Sequence, residues 1–124
     1  MSKRILIVED QEDNRAILRD LLSDAGDDLI EATNGQDGVA LAQSERPDLI
    51  LMDVQLPVMD GYEATRRIKG NVELKSIPVI AVTSFALSGD EGKAQSAGCD
   101  DYLAKPFSPR LLLAKIREYL PGEG

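Results

Sequence analysis

The sequence predicts an α/β fold: a three-layer sandwich of the (βα)5 kind, with a parallel sheet in the strand order 2-1-3-4-5. Three observations predict it. Short apolar runs alternate five times with stretches of helical periodicity. The runs are mostly continuous in apolar character, as strands buried on both faces are. The chain has 124 residues, 43% of them hydrophobic, which suits one domain with a substantial core.

The first run is Ile5-Leu6-Ile7-Val8, closed by Glu9 and Asp10. Ile17, Leu18, Leu21, Leu22 and Ala25 then recur at steps of three and four, which predicts an amphipathic helix stopped at Gly26. Leu29-Ile30-Glu31-Ala32 is a more polar second strand, and Asn34-Gly35 turns into a helix through Val39 and Leu41 that ends near Arg46-Pro47. The third run, Leu49-Ile50-Leu51-Met52, ends at Asp53 and leads into the loop Gln55-Leu56-Pro57-Val58-Met59. Asp60 caps a third helix carrying Tyr62, Ala64 and Ile68 and ending near Gly70. Val79-Ile80-Ala81-Val82 precedes Thr83, and a helix follows from about Ser88 to Ala97. Gly92 inside that helix costs roughly 1 kcal/mol relative to Ala. A short fifth strand near Tyr102 to Ala104 is followed by Lys105 and Pro106. Ser108-Pro109 opens the last helix, with Leu112, Leu113, Ile116 and Leu120 at helical spacing.

The first, third and fourth runs are the most uniformly apolar and belong at the centre of the sheet; the second and fifth belong at its edges. In the resulting order the first and third strands are neighbours and the chain reverses direction between them. Ligands bind outside the carboxyl ends of strands at such a point. Glu9, Asp10 and Asp53 occupy those ends.

Composition narrows the chemistry. A net charge of -8 argues against general affinity for nucleic acid or anionic membrane. No apolar stretch approaches the roughly 18 residues of a membrane span, and the N-terminus shows no signal-peptide pattern, so a cytoplasmic setting is expected. Histidine is absent, which removes His-based triads and histidine metal ligands. A single cysteine, Cys99, makes an internal disulfide impossible and leaves a small buried thiol as the expectation. Metal chemistry is then carboxylate and carbonyl chemistry, which means Mg²⁺ or a similar hard ion. No Gly-rich phosphate loop follows the first strand, where Glu9 and Asp10 would repel a nucleotide's phosphates.

These segments together resemble the receiver domain of two-component response regulators. The matching elements are Ile7-Val8-Glu9-Asp10, Leu51-Met52-Asp53, the loop through Leu56-Pro57-Val58-Met59-Asp60-Gly61, Thr83, and Tyr102-Leu103-Ala104-Lys105-Pro106-Phe107. The resemblance implies a flavodoxin-like fold and a phosphoacceptor role for Asp53, supplied by a sensor histidine kinase or a histidine phosphotransfer protein. It implies Mg²⁺ held by Asp10, Asp53 and the Gln55 backbone carbonyl, with Glu9 nearby or acting through water. Lys105 and Thr83 would contact phosphoryl oxygens, and Thr83 with Tyr102 would form a switch that alters the face of the fourth helix, fifth strand and fifth helix. It also implies a cis Lys105-Pro106 bond. Gln55 and Phe85 stand where receivers tune loss of the phosphoryl group, and Phe85 is expected either to hinder the attacking water or to dock a partner.

On this reading the chain is a phosphoacceptor switch, with self-catalysed transfer and slow autodephosphorylation, rather than an enzyme. After Leu120 only four residues remain, so one receiver over 1–124 with no output domain is expected, acting on a downstream protein target. Homodimerisation is left open. Two other functions compete. A phosphohydrolase using Asp53 as nucleophile would want a second carboxylate two residues on, where Gln55 stands. A receiver-like scaffold without phosphorylation would not need Glu9, Asp10, Asp53, Thr83 and Lys105 together.

Overall fold

Every apolar run becomes a strand with its neighbours parallel to it. In the computed structural model, which describes residues 3–83, 90–105 and 107–120, the chain alternates strand and helix throughout. The elements are β1 (Arg4–Val8), α1 (Glu12–Asp24), β2 (Asp28–Ala32), α2 (Gly35–Glu45), β3 (Leu49–Asp53), α3 (Gly61–Lys69), β4 (Val79–Thr83), α4 (Asp90–Ala97), β5 (Asp101–Ala104) and α5 (Pro109–Tyr119). The sheet order is β2-β1-β3-β4-β5, as the relative apolarity of the runs predicts.

Alternation of side chains across the sheet divides the core. Ile5, Ile7, Leu49, Leu51, Ile80 and Leu103 face one side and pack under Leu18 and Leu22 of α1 and Leu112 and Ile116 of α5. Leu6, Val8, Ile50, Met52 and Val79 face the other, beneath Ala42 of α2 and Ala64 and Ile68 of α3. β3 and β4 are buried along their whole length, while β2 and β5 are only partly covered, as edge strands are. Truncating a fully buried side chain such as Ile50 or Ile80 to Ala would cost about 2–5 kcal/mol.

The caps follow the sequence. Asn34, Asp60 and Ser108 accept from the backbone N–H of Asp37, Glu63 and Leu111, satisfying donors that a helix leaves open. Two features differ from expectation. Ile17 is 63% exposed, because the inward stripe of α1 centres on Leu18 and Leu22 and the helical step carries Ile17 to its flank. The stretch after α3, silent in the sequence, folds into turns that bury Leu74. Ser88, Phe85 and Pro106 lie outside the described residues, and with them the start expected for the fourth helix, the Phe85 reading and the cis Lys105-Pro106 bond.

Register decides what this scaffold presents. Val8 pairs with Met52, Asp53 with Val82, and Thr83 with Ala104. Glu9 and Asp10 therefore leave β1 beside Asp53, and Lys105 leaves β5 just past Thr83. Strand ends far apart in sequence meet on one rim.

Candidate functional site

One carboxylate oxygen from each of Glu9, Asp10 and Asp53 lies within 4.8 Å of the other two. Glu9 is 2% exposed and Asp53 6% exposed, so this charge sits largely out of water. Lys105 Nζ donates to Glu9 Oε1 at 3.0 Å and to Asp53 Oδ2 at 3.1 Å. Burial alone would push the Lys105 ammonium down, but the hydrogen bonds and charges of Glu9 and Asp53 outweigh it and hold the group above the ordinary lysine value. Glu9 thus meets Lys105 directly, a closer engagement than the sequence suggests.

Backbone donors fix the carboxylates. The Gln11 N–H donates to Glu9 Oε2 at 3.1 Å, and the Gln55 N–H donates to Asp53 Oδ1 at 3.0 Å. With Lys105 on Oδ2, Asp53 has each oxygen engaged from a different element. Thr83 is fully buried one step along β4, and its carbonyl accepts the Lys105 N–H at 2.7 Å.

The loop after Asp53 is laid on two glycines, Gly35 and Gly61. A Cβ on Gly61 would stand 2.1 Å from the Asp53 carbonyl oxygen, and one on Gly35 would stand 2.1 Å from the Met59 carbonyl oxygen. Only hydrogen fits at either place. Between them Val58 adopts φ 70° and the Met59 N–H reaches back to the Pro57 carbonyl at 2.7 Å, a tight γ-turn. Val58 is 80% exposed, so its β-branched side chain is carried in a strained conformation with little packing around it.

Tyr102 lies on the neighbouring edge. Its ring packs against Val54, Ala81 and Ala94, and its hydroxyl is buried. Cys99 is half-buried; burial pushes its thiol up, and Sγ lies 3.8 Å from the Thr65 hydroxyl. A cleft of about 510 Å³ opens beside Lys105, bordered by Glu9, Asn14, Ile17, Val82 and Phe107.

Glu9, Asp10, Asp53, Thr83 and Lys105 thus stand together at the carboxyl ends of β1, β3, β4 and β5, while Tyr102 sits further back on β5, paired with Ala81. Residues 5–117 match the family model described as the response regulator receiver domain. The chain belongs to the response regulator receiver family. It is a receiver of phosphorylation-based two-component signalling, and receivers of this family act as phosphoacceptor switches.

Individual relatives agree with that membership. The receiver is 46% identical over 120 residues to the polar-differentiation response regulator DivK of Brucella anthropi, covering 97% of this chain and 98% of that one. It superposes with a TM-score of 0.92 on the receiver domain of a sensor histidine kinase from Pseudomonas aeruginosa, at 37% identity, covering 98% of this chain and 100% of the other. That structure has a magnesium ion coordinated in its active-site cleft. The chemotaxis protein CheY4 of Vibrio cholerae matches with a TM-score of 0.89 at 28% identity, over 96% of this receiver and 99% of its own chain. No helix among the described residues is long and apolar enough to cross a membrane.

Arg15 is a residue that the sequence reading missed. Its Nη1 donates to the Glu9 backbone carbonyl at 2.9 Å. Nothing in its local sequence marks it, since Arg on an acidic helix reads as surface charge.

Proposed function

We propose that Asp53 accepts a phosphoryl group from a phosphohistidine of a sensor histidine kinase or histidine phosphotransfer protein. The observation that carries this is the convergence of Glu9, Asp10 and Asp53 within 4.8 Å, with Lys105 bonded to two of them.

The donor set fits a hard divalent cation: three carboxylates, at least one of them open to solvent, and no nitrogen or sulfur ligand among them. Asp10, Asp53 and the Gln55 backbone carbonyl would hold Mg²⁺, with Glu9 supporting them from within. Bound there, Mg²⁺ supplies positive charge that offsets the repulsion between an incoming phosphoryl group and the acidic cluster.

The remaining chemistry belongs to the chain. One Asp53 oxygen forms the new P–O bond as the P–N bond of the donor breaks; the electron pair stays on the donor imidazole, which takes a proton from solvent. The transferring group needs positioning and charge stabilisation more than covalent assistance. Lys105 exchanges its contact with an Asp53 oxygen for a phosphoryl oxygen, and Thr83 donates its hydroxyl to another. The same residues permit slow hydrolysis, which makes the chain a switch with limited self-catalysis.

Phosphorylation is read out at β5. Thr83 moves toward the phosphoryl group, and the Tyr102 ring, already seated against Val54, Ala81 and Ala94, shifts further into the space behind it. The face of α4, β5 and α5 changes with it and binds a downstream protein. Incubation with acetyl phosphate, with and without Mg²⁺, tests the proposal by intact mass. One phosphoryl unit gained only with Mg²⁺, and absent in Asp53→Asn, is the expected result; equal gain in Asp53→Asn would refute it.

A further inference from the structure

Glu9 is held by four hydrogen bonds. Its carboxylate meets Lys105 and the Gln11 N–H, its N–H donates to the Ala32 carbonyl at 3.0 Å, and its carbonyl accepts Arg15 Nη1 at 2.9 Å. That carbonyl belongs to the peptide plane joining Glu9 to Asp10. A peptide unit is rigid, so fixing its oxygen fixes where the Asp10 N–H and Cα lie. Asp10 needs such help, for its carboxylate meets only a long 3.5 Å contact from the Gln11 side chain among the hydrogen bonds of the described residues.

Arg15 is itself anchored. Its guanidinium pairs with Glu12, and its Nε lies 3.4 Å from Glu31 Oε1 on β2. Glu31 is gripped in turn by Arg19, through Nε at 2.8 Å and Nη2 at 2.9 Å. The Arg15 side chain is 13% exposed, against 40% for Arg19. A continuous line of hydrogen bonds and ion pairs runs from the β2 edge to the turn that carries the acidic pair.

We propose that Arg15 is a positioning residue for the cation site: it orients the Glu9–Asp10 peptide and so aims the Asp10 carboxylate at Asp53. This rests on the reading in which Asp10 and Asp53 hold Mg²⁺. Two simpler roles predict different behaviour. If Arg15 contributed only positive charge near the cluster, its removal would tighten cation binding. If it only clipped α1 to β2, its removal would lower stability and leave cation affinity alone.

The test is calorimetric titration of the full chain with Mg²⁺, with a thermal melt of each variant in parallel. Arg15→Met keeps the aliphatic stem and loses every donor; it should bind Mg²⁺ about tenfold more weakly, the lower end of what loss of a supporting bond costs a metal site. Arg15→Lys, which retains a donor for the carbonyl, should recover most of that loss. Arg19→Met removes the Glu31 fork without touching Glu9, and should lower the melting temperature while leaving Mg²⁺ affinity within about twofold of wild type. Should Arg15→Met not fold, Arg15→Gln replaces it with the same expectation. Equal or tighter Mg²⁺ binding by Arg15→Met, or equal weakening by Arg19→Met, overturns the proposal. Wild type that binds no Mg²⁺ overturns the reading beneath it as well; wild type that binds normally beside an unaffected Arg15→Met overturns this inference alone.

Discussion

Lys105 Nζ and Asp53 Oδ2 meet at 3.1 Å although 52 positions separate them in the chain. The same ammonium reaches Glu9, so one lysine offsets two carboxylates that are almost out of water. Lys105→Met should strand both. We expect a loss of about 2 kcal/mol in the metal-free protein, less than for a wholly enclosed pair because the lysine side chain is 24% exposed. Denaturant unfolding checks this, and added Mg²⁺ should restore part of the loss.

Asp10→Asn should act in the opposite direction. Glu9, Asp10 and Asp53 carry more negative charge than Lys105 offsets. Removing one carboxylate should stabilise the metal-free protein by about 1 kcal/mol, as relief of strain at a functional site commonly does. Wild type should melt higher with Mg²⁺, and the variant should lose that rise. Thermal melts with and without Mg²⁺ read both effects.

Gly61→Ala tests the bed beneath the loop that follows Asp53. Its methyl group would meet backbone, the Asp53 carbonyl oxygen at 2.1 Å and the Val54 Cα at 2.7 Å. Backbone cannot rotate away as a side chain can, so we expect a cost of about 3 kcal/mol, together with displaced Asp53 and Gln55 amide resonances.

Glu31 makes a pH-dependent contribution. Its hydrogen bond to Arg19 is the main influence that holds its carboxyl below the ordinary glutamate value. A pKa lower in the folded than in the unfolded chain gives stability that is present above the unfolded value, near 4.3, and lost as pH falls through the folded one. The pair is partly exposed, so about 0.5–1 kcal/mol is expected. Wild type should therefore exceed Glu31→Gln in stability at pH 7, with the gap closing below about pH 4.

Thr83→Ala should still accept the phosphoryl group but transmit it poorly. The changes in amide shift that phosphorylation causes along Asp101–Ala104 should shrink in this variant, measured against wild type by two-dimensional NMR. Undiminished changes would remove Thr83 from the coupling.

Much of this architecture was legible in the sequence because burial writes itself into composition. Continuous apolar runs marked β1, β3 and β4, and their ranking over β2 and β5 gave the strand order. The terminal positions of those runs marked Glu9, Asp10 and Asp53, since parallel register carries strand ends to one rim, while Thr83 was singled out only by the resemblance to receivers. Other features depend on contacts between distant segments. The Lys105–Glu9 bond spans 96 positions, and the need for hydrogen at Gly35 exists only because Met59 lies against it. Ile17 is apolar yet exposed, which periodicity cannot separate from its buried neighbour Leu18. Arg15 looks like any helix arginine until the Glu9 carbonyl is found beside it.

The phosphoacceptor assignment is tested most directly by locating the modified atom. Protein treated with acetyl phosphate and Mg²⁺ is reduced with borohydride, which converts an aspartyl phosphate to homoserine, and then mapped by peptide mass spectrometry. Homoserine at position 53, dependent on Mg²⁺, is the predicted result. Reduction at Asp10 instead, or no homoserine from a folded and Mg²⁺-loaded chain, would contradict it.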